Sequence, residues 1–143
     1  MKCWTVFALV LGSAFVMSLG SLQLSAQVCS DEEGMVTYYK KDVADLVGTV
    51  KKESLQDFEK GYHQKVMTNH LSLFGGTVDR LLDCLQKRVN DPTTLKEDAD
   101  AAKGKIDAYN KLKDKIKQDR DALKAVQTGK DAKGLIEKFA FTG

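Results

Sequence analysis

Residues 29–52, CSDEEGMVTYYKKDVADLVGTVKK, decide the fold class. Ser30 stands where an N-cap belongs, Glu33 follows three residues on, and Asp31, Glu32 and Glu33 put three acids at the positive end of a helix dipole. This is the pattern of a capping box. Met35, Tyr39, Val43, Leu46, Val47 and Val50 then recur at steps of three and four, one apolar stripe on a helix that runs to about Lys52. Gly48 interrupts that helix as either a close crossing point or a weak spot.

The same period continues downstream. Leu55, Phe58, Tyr62, Val66, Met67, Leu71 and Phe74 form a second stripe, with Gly61 as a break, so one kinked helix or two short ones are expected. Gly75-Gly76 reads as the turn that ends this segment, and Thr77 as the cap of a third helix with Val78, Leu81, Leu82, Leu85 and Val89 on its core face. Asn90-Asp91-Pro92 is a stop and a start: proline cannot continue a helix but fits its first position after an Asp cap, with Thr94-x-x-Glu97 as the alternative cap. Leu95, Ala99, Ala102, Ile106, Tyr109, Leu112, Ile116, Leu123 and Val126 then make a narrow stripe in a field of Lys and Asp, broken only by Gly104 before Thr128-Gly129. A helix of about 35 residues would be about 53 Å long. Lys130-Asp131 restarts a short last helix carrying Leu135, Ile136 and Phe139. No alternating strand pattern occurs, so the expected fold is all-α, a small disulfide-stapled helical bundle with one long C-terminal helix.

Upstream, Lys2 and an apolar run from Cys3 to Leu19 closing in Ser25-Ala26 have the form of a secretory signal peptide, shorter than a membrane span. Residues 1–26 are therefore expected to be removed, leaving residues 27–143 as one helical domain that is secreted, extracellular and without a membrane span. Of the 22 Lys and Arg only Lys2 lies in the leader, which contains no acid, so the remaining chain balances 21 bases against 20 acids. That balance offers no global attraction to nucleic acid. Cys29 and Cys84 remain together in an oxidising compartment, and one disulfide between them is the natural reading. Closing so long a loop contributes about 4 kcal/mol in the chain-entropy description.

The candidate sites are sparse. His63, Met67 and His70 share a helix face, but histidines seven residues apart lie about 10 Å apart along the axis, too far to share one ion. No metal and no cofactor is expected. No nucleophile–base constellation or phosphate loop stands out, so the chain reads as non-catalytic. Lys111, Lys113, Lys115 and Lys117 alternate along the long helix and would at most bind a polyanion weakly, because residues two apart point about 200° from each other and Asp107, Asp114, Asp119 and Asp121 interleave them. Tyr38 and Tyr39 are neighbours about 100° apart and cannot both enter the core, and Phe139 and Phe141 need a groove or a partner. The residues expected to bind a partner are Tyr38, Tyr39 and Phe141, supported by Lys113 and Lys117 four apart on one side of the long helix.

A leader, Cys29 and Cys84, the acidic entry from Ser30 to Glu33, the Asp91-Pro92 break and the Lys/Asp-rich long helix together resemble the anophensin and albicin group of small mosquito salivary proteins. That resemblance implies inhibition of host plasma cascades by protein binding, at the alternative complement convertase or at the contact-activation proteins of the kallikrein–kinin system. It carries no functional residue across. The residues themselves leave two other classes open: a carrier of a small apolar ligand in a pocket lined by Phe58, Tyr62, Met67 and Phe74, and a structural component of a secretion. A monomer is expected. Peptide mapping of the secreted protein without reduction is expected to recover the Cys29 and Cys84 peptides joined. Alkylation of both cysteines, or a covalent dimer, would contradict this pairing.

Overall fold

The computed structural model describes residues 29–141; the leader assigned to residues 1–26 lies outside the described residues. Five helices follow in chain order: α1 (Ser30–Lys52), α2 (Leu55–Lys60), α3 (His63–Asn90), α4 (Lys96–Ala125) and α5 (Gly129–Ile136). The described residues hold no strand. The class is all-α.

Helix α1 starts one residue earlier than its capping pattern suggests. Cys29 is the N-cap, its carbonyl accepts the Glu33 N–H at 3.0 Å, and no side chain caps the end. Ser30 is already helical, so the expected box is not formed, although Asp31, Glu32 and Glu33 keep the first turn acidic where the dipole favours it. The buried face is Val36, Val43, Val47 and Val50, with Tyr39 and Leu46 half-buried beside it. Met35 is exposed, because the face is set by Cys29, which lies in line with Val36 and Val43 at seven-residue steps and is bonded to Cys84 with Cα atoms 6.0 Å apart. A Cβ placed on Gly48 would meet nothing within 4 Å, so no close crossing occurs there.

The segment after α1 divides in two. Ser54 caps α2, accepting the Asp57 N–H at 3.1 Å and donating to its carboxylate at 2.6 Å. The chain then breaks at Gly61-Tyr62, where Tyr62 takes the left-handed conformation at φ 54°, rare for a side-chain-bearing residue. This turn swings Tyr62 out to 75% exposure, off the stripe where its spacing places it. Phe58 stays buried and stacks on His63.

Helix α3 corrects the largest expectation. Gly75-Gly76 is not a turn, and α3 runs through it for 28 residues. Thr77 is not a cap but a buried mid-helix residue whose hydroxyl donates to the Leu73 carbonyl at 3.0 Å and accepts from Arg80 at 3.0 Å. Each glycine costs about 1 kcal/mol of helix propensity, but Met67, Leu71, Phe74, Val78, Leu81 and Leu85 are buried along one continuous face, and each large side chain contributes about 1.5–3 kcal/mol. Burial outweighs propensity. Gly75 also faces the long helix: a Cβ there would stand 3.6 Å from Ile116 Cγ2. Cys84 consequently sits toward the C-terminal end of a 28-residue rod, not midway along a third short helix.

The Asp91-Pro92 stop ends α3 at Asn90 as expected, but the restart is later. Asp91 accepts the Thr93 hydroxyl at 2.6 Å and the Thr93 N–H at 2.8 Å, which holds its carboxyl below the ordinary carboxylate range, and the Thr94 N–H closes the turn on the Asp91 carbonyl at 3.0 Å. Asp91 is thus spent on the turn and neither it nor Thr94 caps α4. That helix has Leu95 as its N-cap, without a side-chain bond, and spans 30 residues, about 45 Å. Ala102, Ile116 and Leu123 are buried, Ile106, Tyr109, Leu112 and Val126 partly so, and Leu95 is exposed.

Both α1 and α4 run antiparallel to α3. Cys29–Cys84 and Asp42–His70 set the first direction; Arg88–Asp98 at 3.1 Å and Lys113–Asp79 at 2.5 Å set the second. The Gln64 side chain donates to the Leu123 and Val126 carbonyls at 2.9 and 3.0 Å, satisfying acceptors at the end of α4. Helix α5, capped by Thr128 on Asp131, packs against α2 at that end of the bundle. The chain then leads Phe139, which is buried, and Phe141 onto the core.

Gly76 lies in mid-helix with open space where a Cβ would stand. Gly76→Ala is therefore expected to raise stability by about 0.5–1 kcal/mol in urea denaturation. A loss of stability would mean that this position is a turn.

Candidate functional site

The side chains named from the sequence fall on three separate surfaces. Tyr38 and Tyr39 part as their 100° spacing demands. Tyr39 stacks on Phe74 with ring centroids 6.3 Å apart, while Tyr38 packs edge-on against Tyr39 and is 58% exposed. Around Tyr38 the α1–α3 face carries two further exposed apolar side chains, Met35 at 43% and Leu73 at 56%. Their position follows from the Asp42–His70 pair: Met35 and Tyr38 share the side of α1 that holds Asp42, and Leu73 is one turn from His70 on α3. Sequence reasoning missed Met35 and Leu73. Met35 reads as a core position by spacing, and Leu73 carries no signal except that it falls between the core positions Leu71 and Phe74.

Phe141 is only partly exposed. It lies edge-on to Phe74 at 5.6 Å and tilted against Phe139 at 6.3 Å, with Lys115 Nζ 5.2 Å above its ring centroid. The tail docks into its own bundle. Phe74 thereby gathers Tyr39 from α1 and Phe141 from the tail.

The four alternating lysines separate by face. Lys111 and Lys115 line the groove between α1 and α4, and Lys115 pairs with Asp119 at 2.9 Å. Lys113 pairs with Asp79 across the α3–α4 seam, on the side of α4 that Lys117 shares, because those two are four apart. Lys113 and Lys117 are thus separated from Tyr38, which stands on the other outer seam of α3.

The histidines serve the α1–α3 junction. His63 pairs with Glu53 at 2.8 Å and His70 with Asp42, so each ties a residue of α3 to the first helix or its end. Among the described residues no three His, Cys, Asp or Glu side chains come together as a metal site, and no helix is long and apolar enough to cross a membrane. The four residues expected to line an apolar pocket are also divided. Met67 and Phe74 are packed in the core, whereas Phe58 and Tyr62 edge an open cleft of about 450 Å³ beside Glu59 and Lys124.

A larger hollow of about 620 Å³ lies between α1 and α4, where Tyr109, Leu112 and Phe141 form the floor. Burial above all, and then the charge of Glu33, push the Tyr109 phenol above its ordinary value of 10.0, while Lys105 draws it the other way. No protein-family profile, curated protein or solved structure matches this chain.

The Tyr109 phenol yields a pH prediction. A folded-state value raised above the unfolded one favours the neutral phenol in the fold, so its contribution is fully present below about pH 10 and is lost as pH rises through the raised value. Denaturation of the native protein and of Tyr109→Phe across that range is expected to show a shallower alkaline loss in the variant. Parallel losses in both would contradict the assignment.

Proposed function

We propose that this chain is a secreted, non-catalytic binding protein that acts by occupying another protein, with the α1–α3 face as its contact surface. The exposure of Met35, Tyr38 and Leu73 together on one helical face carries this reading. Three large apolar side chains in water on neighbouring helices are a cost to the free protein that a partner's surface would relieve. An aromatic ring among them is the kind of anchor that concentrates binding energy.

The face is supported by rigid elements. Cys29–Cys84 closes one end of the α1–α3 pair, and the His70–Asp42 and His63–Glu53 pairs close the rest. Little ordering is then left to occur on binding, which favours affinity. The likeness to mosquito salivary proteins supports a host plasma target, the alternative complement convertase or the contact-activation proteins. Lys113 and Lys117 lie across α3 from this face, outside its rim, and would act only by long-range attraction, altering association rate and salt dependence and not the contact itself.

Of the aromatic anchors, Tyr38 is the one whose removal tests the contact cleanly, since Tyr39 and Phe141 also hold Phe74. In assays of alternative-pathway convertase and of kallikrein generation in plasma, the native protein is expected to inhibit one of the two. Tyr38→Ala is expected to cost at least about 1 kcal/mol of binding to that target with thermal stability nearly unchanged. If charge reversal at Lys113 and Lys117 abolished inhibition while Tyr38→Ala did nothing, the contact would be a polyanion patch and this assignment wrong.

A further inference from the structure

We propose that the groove between α1 and α4 binds a free single-chain amphiphile with an anionic head group, of the fatty-acid class. The groove opens between α1 and α4, each of which packs chiefly on α3, with Lys105 and Glu33 joining the two helices across it. Ala140 and Phe141 of the C-terminal tail line it, and its hollow of about 620 Å³ is inside the range of about 300–1,000 Å³ typical of small-molecule sites.

Its lining joins two chemistries. Tyr109, Leu112 and Phe141 make an apolar floor suited to an alkyl chain. Lys40, Lys105, Lys111 and Lys115 stand around that floor against a single lining carboxylate, Asp107. Lys115 Nζ lies 5.2 Å above the Phe141 ring centroid, so a cation and an apolar surface meet at one point, as a head group and the first carbons of its chain require. Lys105 and Lys115 pair with Glu33 and Asp119 at 2.6 and 2.9 Å, but the lysine side chains themselves stay 52% and 45% exposed, open to an anion entering from solvent. Lys111 has no ion-pair partner among the described residues. A sulfated polymer would use the lysines and leave the floor in water; a neutral lipid would use the floor and leave the lysines idle. An anionic amphiphile uses both.

This site shares no residue with the α1–α3 face, so its test is independent of the partner reading. Isothermal titration calorimetry of the full protein with laurate, below the concentration at which laurate forms micelles, is expected to show one saturable site. Dodecanol, with the same chain and no charge, should bind about tenfold more weakly, and so should the Lys111→Glu/Lys115→Glu double variant. Ala108→Trp, placed at an exposed position on the groove wall, should abolish binding with helicity by circular dichroism unchanged. Tyr38→Ala should bind laurate as the native protein does. Absence of saturable laurate binding, undiminished binding by Ala108→Trp, or binding of a sulfated oligosaccharide in place of laurate would overturn the proposal.

Discussion

Everything in this fold hangs on the continuity of α3. A single 28-residue helix passes through two consecutive glycines, and α1 and α4 lie antiparallel to it on either side. Were the chain to turn at Gly75-Gly76, His70 with its Asp42 contact would belong to one body, and Asp79 and Cys84 with their links to Lys113 and Cys29 to another. With the helix intact they are three rivets along one rod. Neither glycine is needed for this arrangement: a Cβ at Gly75 would meet Ile116 of α4 at 3.6 Å, an ordinary van der Waals contact, and one at Gly76 would meet nothing within 4 Å.

The two surfaces with functional promise follow from that spine. Because α1 and α4 are each satisfied by α3, the space between them is left to the C-terminal tail, which covers only part of it and leaves the lysine-rimmed hollow over Tyr109 and Leu112. On the other side of α1 the outer seam with α3 is bridged by the polar Asp42–His70 contact, and Met35, Tyr38 and Leu73 stay in water beside it. The first surface is concave and basic, suited to a small anion with an apolar body. The second is presented by two fixed helices and suits the surface of a protein.

Much of this was legible in the sequence, for identifiable reasons. The all-α class follows from apolar spacing sustained over nearly every segment, the Cys29–Cys84 pairing from the lack of any other cysteine beyond the leader, and the end of α3 from Asp91-Pro92. The parting of Tyr38 from Tyr39, and of Lys111 and Lys115 from Lys113 and Lys117, follows from the helical angle alone. What escaped depended on tertiary contacts. Gly75-Gly76 is a turn by local chemistry and a helix by burial of Phe74, Thr77 and Val78. The rotation of α1 is chosen by the disulfide, which trades Met35 for Val36 in the core. Gln64 closing the end of α4, and Tyr62 turning outward at the break before α3, leave no periodic trace.

Backbone amide hydrogen exchange at Gly75, Gly76, Thr77 and Val78 is the most direct measure of the unbroken spine. In a continuous α3 these amides donate within the helix, and their exchange should be as slow as that of Leu71 and Leu81, which share the same buried face. Rapid exchange confined to Gly75–Val78 between two protected flanks would show a turn at the glycines and contradict the continuous helix on which the rest depends.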